Sequence, residues 1–213
     1  MDLRLKHSFR LAVLGPSNCG KTSTVIFLIK NRKQIINHPV AQVIYFYRTW
    51  QDNFQDLKEN FYVKFLDQTP TYELFQQLTL PFKHNGGSLI IFDDALNHIN
   101  SDFEKIFTEG AHHFNASVIF LAQKMFSQNE TFKTILNNTE YLIIMRNPRN
   151  IQTVEFLGRQ MMQPGLVNIY QRATKCKFSY LFIDNHPTTH ETSRFRNSLL
   201  PNQQSFLTTY TTE

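Results

Sequence analysis

The sequence predicts an α/β fold in which a mainly parallel central sheet is flanked by helices, and two observations carry that reading. Short apolar runs recur at Leu11–Leu14, Val43–Tyr47, Tyr62–Leu66, Ser88–Phe92, Ser117–Ala122, Tyr141–Met145 and Tyr180–Ile183. They are continuous rather than alternating, the pattern of strands covered on both faces. Between most of them lie helix-compatible segments, such as Thr71–Leu78, Asp102–Glu109 and Thr153–Met162, long enough to serve as crossovers. Right-handed crossovers then give an open sheet whose ligand site lies at the carboxyl ends of the strands.

The first run leads into Gly15-Pro16-Ser17-Asn18-Cys19-Gly20-Lys21-Thr22, and the helix-prone stretch Ser23–Lys30 follows. This is G-x-x-x-x-G-K-[ST] between a strand and a helix, where backbone N–H groups and the positive end of the helix form a concavity for phosphate. Residues Gly15 to Ser23 are therefore the expected nucleotide cradle. Lys21 is placed for the β/γ oxygens and the Thr22 hydroxyl for Mg²⁺. The chain has only 7 glycines, and two of them stand in this loop.

The fourth run, Ser88–Phe92, ends in Asp93-Asp94 about 70 residues after the loop. An apolar strand closing on two acids resembles a Walker B element: Asp93 would hold Mg²⁺, and Asp94 would orient and deprotonate the attacking water. The fifth run, Ser117–Ala122, ends in Gln123, a polar group placed to sense the γ-phosphate or the water. A catalytic acid beside Walker B with a polar sensor on a neighbouring strand is the layout of RecA-like (ASCE) P-loop NTPases. It differs from that of small-molecule kinases with their Arg-rich lids. The sixth run, Tyr141–Met145, is followed by Arg146 and Arg149, at the same sheet edge as the loop; either would face a nucleotide bound by a neighbouring subunit.

At 213 residues one domain with a full core is expected, residues 1–185, with an extended arm from 186 to 213 that is polar, aperiodic and interrupted by Pro187 and Pro201. Lys+Arg of 22 against Asp+Glu of 17 gives +5, spread without any polybasic tract, so charge alone does not identify a nucleic-acid binder. Two cysteines, Cys19 and Cys176, give neither a disulfide framework nor metal-ligand spacing, as expected of a reducing compartment. The apolar runs are too short for a membrane span, and the start MDLRLKHSFRLAVLG carries charge where a signal peptide is apolar. No membrane partner is expected. The pair His112-His113 lacks a third ligand at zinc spacing and reads as loop histidines.

Taken together, GPSNCGKT, LIIFDDAL, EGAHHFNASVIFLAQKMF, FKTILNNTEYLIIMRNPRN, FLGRQMMQPG and SYLFIDNHPTTHETSRFRNSLLP resemble the genome-packaging ATPases of the FtsK/HerA superfamily, particularly those of Maverick/Polinton-type elements, adintoviruses and related double-stranded DNA viruses. The resemblance runs in order through nearly the whole chain. It implies a homo-oligomeric ring, pentamer or hexamer, around double-stranded DNA. It also implies ATP and Mg²⁺ as cofactors, and capsid portal or vertex proteins as partners. The implied location is inside a host cell, in the nucleus or a cytoplasmic virus factory, with association to the virion. Two positions depart from the pattern. Asn150 stands where an acid is expected after Asn-Pro-Arg, and Lys133 stands where Arg is expected, which lacks the planar fork of a finger. Arg159 lies within a helical stretch and reads as an exposed charge. Channel loops implied by the family fall on Lys124-Met125-Phe126-Ser127-Gln128-Asn129 and Lys133, where backbone contacts would suit any DNA sequence. Two other functions fit the loop motif, a nucleoside or nucleotide kinase and a nucleotide-binding assembly protein without turnover. The intact Lys21, Thr22, Asp93 and Asp94 weigh against the second.

Overall fold

The structure, a computed structural model, describes residues 2–94, 99–125, 129–149 and 151–201. Eight strands form one sheet: β1 (Arg10–Leu14), β2 (Gln42–Phe46), β3 (Val63–Leu66), β4 (Ser88–Phe92), β5 (Ala116–Ala122), β6 (Tyr141–Met145), β7 (Tyr180–Asp184) and β8 (Phe195–Arg196), in the order β3-β2-β4-β5-β1-β6-β7-β8. The first six pair in parallel, and β7 runs antiparallel to both of its neighbours, β6 and β8. β4, β5 and β6 are buried at every position, which is why they read as unbroken apolar runs.

Alternate residues of each strand serve opposite faces. On one face Val13, Tyr45, Ile91 and Ile119 meet α1 (Lys21–Lys30) and α3 (Asn53–Phe61) through Val25, Leu28, Ile29, Phe54 and Leu57, and the short α2 (Arg32–Ile35) adds Ile35. On the other, Phe46, Phe92, Phe120 and Ile144 are covered by α4 (Tyr72–Thr79), α5 (Ser101–Lys105), α6 (Ala111–His113), α7 (Glu130–Asn137), α8 (Ile151–Gln160) and α9 (Leu166–Ala173). Val25, Leu28 and Ile29, at i, i+3 and i+4, share one face of α1 and are buried, as is Ile26 beside them. Helix starts follow local chemistry. Thr71, Asn100 and Asn129 each accept a hydrogen bond at the third following residue, from Leu74, Phe103 and Phe132 N–H at 3.2, 2.9 and 3.2 Å.

Several expected boundaries shift. Tyr62 is not in β3; it ends α3 in the left-handed region (φ 56°) and is exposed. The helix expected over Asp102–Glu109 runs from α5 through a π turn at Ile106–Gly110 into α6. Gly110 closes that turn where a Cβ would come 2.8 Å from the Phe75 ring. The stretch from His186, expected as an extended arm, folds back as far as it is described: a turn at Glu191–Ser193 precedes β8, which pairs Arg196 with Phe182 and Phe195 with Ile183. The Arg196 guanidinium is buried; it reaches Asp184 Oδ2 at 2.8 Å and Leu3 O at 2.7 Å, and lies 4.3 Å over the Phe182 ring. Residues 202–213 lie outside the described residues. Among the described residues no helix is long and apolar enough to cross a membrane.

Candidate functional site

The loop after β1 is shaped by close packing. Gly15 N–H donates to Ala122 O at 3.1 Å, and a Cβ on Gly15 would lie 2.6 Å from Met145 Cβ and 2.8 Å from Cys19 Sγ, so only glycine fits there. Gly20 turns the chain into α1 with φ +100°, a conformation open to glycine. The first turn of α1 has neither an acidic residue nor a side-chain cap, which leaves its N–H groups and positive dipole end directed at the loop. Lys21 bends back over this concavity and donates from Nζ to Gly15 O at 2.7 Å and Pro16 O at 2.8 Å.

Across the cleft, Thr22 Oγ1 lies 3.5 Å from Asp93 Oδ2 although 71 residues separate the two in sequence. Asp93 N–H donates to Phe46 O at 3.0 Å, fixing the acid just past β4. The buried Tyr45 hydroxyl donates to the same Asp93 Oδ2 at 2.8 Å. Burial pushes the Asp93 carboxyl above its ordinary range, opposed by that hydrogen bond, and burial followed by the Asp93 charge holds the Tyr45 phenol well above its own. Asp94 turns away from the strand with φ 57°, half-exposed, and its Oδ2 lies 3.9 Å from Arg48 Nη1.

β5 lies between the loop strand and the acid strand, with Ala122 level with Leu14 on one side and Phe120 level with Phe92 on the other. Gln123, at its end, is exposed and shares a small cavity with Gly15, Met145, Asn147 and Tyr170. Arg146 and Arg149 follow β6, beside β1, and both are exposed. Their loop is held at its base: Asn147 N–H donates to the Tyr170 hydroxyl at 2.6 Å, that hydroxyl donates to Met145 O at 3.0 Å, and Arg149 N–H donates to Asn147 Oδ1 at 3.2 Å.

Other positions singled out in the sequence stand elsewhere. Lys133 pairs with Glu130 at 2.7 Å on the exposed side of α7, and Arg159 lies 5.9 Å over the Phe156 ring on α8. Of the expected channel loop, Lys124 is exposed, Met125 packs into the core and Asn129 caps α7. Phe126, Ser127 and Gln128, like Asn150, lie outside the described residues. The His112 and His113 rings sit 5.9 Å apart at an exposed helix end. Tyr45, Arg48 and Phe178 were not singled out in the sequence. Tyr45 is a strand residue like its neighbours until β2 pairs with β4; no local signal marks it.

A phosphate-loop motif between the first strand and first helix, with an acidic strand end two strands away and a third strand between, defines the RecA-like P-loop NTPase fold. Solved structures are similar to this chain. The genome packaging NTPase B204 of Sulfolobus turreted icosahedral virus 2, solved in complex with ATP-gammaS, aligns with a TM-score of 0.56 at 14% identity, over 89% of this chain and 96% of that one. The EccC ATPases 2 and 3 of Thermomonospora curvata, solved in complex with a signal sequence peptide, align with a TM-score of 0.48 at 12% identity, over 67% of this chain and 31% of that one. The likeness to B204 establishes the common fold. No protein-family model and no curated protein matches the sequence.

Proposed function

We propose that this protein is an ATPase that couples hydrolysis to the movement of double-stranded DNA and packages a viral or virus-like genome into a capsid. The observation that carries the chemistry is the meeting of Lys21, Thr22 and Asp93 in one cleft, with Thr22 Oγ1 3.5 Å from Asp93 Oδ2. The motif resemblance and the fold shared with B204, named as a genome packaging NTPase, support the biological role. The insertion of β5 between loop and acid favours this reading over a small-molecule kinase.

In this reading Lys21 leaves the Gly15 and Pro16 carbonyls for the β/γ oxygens of ATP. The hard oxygen donors of Thr22 and Asp93 fit Mg²⁺; when bound, the ion neutralises charge on those oxygens. Gln123 orients a water, and an Asp94 carboxylate oxygen takes its proton as the water oxygen attacks the γ-phosphorus. The bond from the β–γ bridging oxygen to that phosphorus breaks, and ADP keeps the electron pair. Arg149 or Arg146 of a neighbouring subunit neutralises charge on the transferring group, so turnover belongs to a homo-oligomeric ring, pentamer or hexamer. Capsid portal or vertex proteins are the proposed docking partners, and a host cell's nucleus or virus factory the proposed location.

Phosphate release by the wild type and by Lys21→Ala, with and without double-stranded DNA, tests the proposal. DNA should stimulate the wild type, less so as salt rises, and Lys21→Ala should be inactive. ADP formation that requires a small-molecule acceptor and releases no free phosphate would point to a kinase, and ATP binding without turnover on DNA would point to an assembly protein.

A further inference from the structure

Beside the phosphate loop lies a second feature that the sequence did not mark. A cavity of about 420 Å³ is lined by Gly20, Ser23, Thr24, Phe27, Phe178 and Tyr180, within the size range of small-ligand pockets. Its two phenylalanines come from distant parts of the chain, Phe27 on α1 and Phe178 from the turn leading into β7. Both face solvent, at 39% and 65% exposure. Phe178 also holds φ +60°, a left-handed backbone that aromatic residues rarely adopt and that gathers at binding sites. Its ring abuts the loop itself: a Cβ on Gly20 would meet Phe178 Cδ1 at 3.3 Å.

We infer that this aromatic slot receives the purine base of the nucleotide whose phosphates the adjoining loop holds; the inference rests on the nucleotide reading above. Position argues for it. Ser23 belongs to the expected phosphate cradle, and Phe27 stands four residues on, the same face of α1 about one 5.4 Å turn further along. A nucleoside leaving the loop in that direction enters the cavity that Phe27 and Phe178 line. Chemistry sets the class of ligand. Thr24 Oγ1 already donates to Gly20 O at 3.0 Å, and the Tyr180 hydroxyl accepts from Leu199 N at 3.2 Å, so the fold fixes where these two polar groups of the walls stand. The broadest exposed surfaces of the lining are the rings of Phe27 and Phe178, and an aromatic ring recognises the face of a base rather than its hydrogen-bonding edge. The slot therefore holds a purine by its face and distinguishes adenine from guanine weakly.

The test compares ATP, GTP and inorganic tripolyphosphate by calorimetry, each with Mg²⁺, on the full chain. Phe178→Ala should weaken ATP and GTP binding about ten- to a hundredfold, the loss of one base–aromatic stack, and leave tripolyphosphate affinity unchanged. Phe178→Asn keeps a residue that tolerates the left-handed backbone and should show the same split, while Phe178→Trp should restore nucleotide affinity. Unchanged ATP affinity in both truncations would overturn the slot while leaving the loop assignment intact. Equal losses for ATP and tripolyphosphate would also overturn it, by making Phe178 a support for Gly20. A wild type that binds neither would overturn the nucleotide reading itself, and the slot with it.

Discussion

Replacing Tyr45 with Phe removes one oxygen from the site and nothing from the core around it. That oxygen donates to Asp93 Oδ2 at 2.8 Å, and the ring is otherwise packed against Phe54 and Phe65 with centroids 4.9 and 5.4 Å away. A hydrogen bond to a charged group contributes about 1.5–3 kcal/mol. Partners that fix a metal-binding carboxylate are worth about 10- to 100-fold in metal affinity when lost. Asp93 is already held above its ordinary range by burial, and without Tyr45 the ionised form loses its opposing support. Tyr45→Phe should therefore raise the Mg²⁺ concentration for half-maximal ATP hydrolysis about tenfold or more. The rate at saturating Mg²⁺ should stay near that of the wild type, because Tyr45 does not reach the reacting atoms in the proposed geometry. Titrating Mg²⁺ at fixed ATP reads both quantities. An unchanged midpoint would refute the link between Tyr45, Asp93 and the ion; a lower plateau at every Mg²⁺ level would show that Tyr45 acts through something else.

Three further outcomes are expected. Arg149→Ala should bind ATP normally and hydrolyse it about 10³-fold more slowly, and mixing it with Asp94→Asn should recover activity from interfaces that pair an intact Asp94 with an intact Arg149; no recovery from co-assembled rings would pass the role to Arg146. Arg196→Met leaves Asp184 buried without its cation, at a cost near the low end of the 3–5 kcal/mol typical of such breaks, because His186 N–H and Thr189 Oγ1 still donate to Asp184 at 3.1 and 2.9 Å. That is a fall of roughly 6–12 °C in Tm, partly regained by adding Asp184→Asn, and a calorimetric scan showing no fall would mean the pair is dispensable. Burial holds the His7 ring below its ordinary 6.5, so the folded chain keeps it neutral while the unfolded chain takes up a proton. Stability is thus whole above that pH and declines as pH falls below it; His7→Gln should flatten the decline of Tm between pH 7 and 5, and an identical slope would remove His7 from the account.

The strands were legible because both faces of the sheet are covered, which leaves runs such as Leu89-Ile90-Ile91 unbroken in the sequence. The loop was legible for a different reason: its geometry is local, and eight consecutive residues carry it. What the sequence did not reveal depends on pairing across long separations. Tyr45 becomes a partner of Asp93 only when β2 lies beside β4, and Phe178 reaches Gly20 only after the last turn before β7. β8 was hidden by its size, two residues of which one is a buried arginine whose burial makes sense only against Asp184 and Phe182. Tyr62 was misplaced because an apolar residue next to a strand reads as part of it, whereas the left-handed backbone that ends α3 turns it outward.

The order of the strands bears on when this site comes into being. β1 is hydrogen-bonded to β5 and β6 and to no earlier strand, with Leu14 opposite Ala122 and Ile144. At a synthesis rate of about 5–20 residues per second, the roughly one hundred residues between β1 and its first neighbour take about 5–20 s. Through that interval the nascent chain contains the loop motif but no sheet to hold it, since the carbonyl of Ala122 that anchors Gly15 and the Met145 side chain packed against it are not yet made. A nucleotide bound as proposed would therefore meet a fold that is already assembled: it would secure the finished domain by mass action and would not template the early steps of its folding.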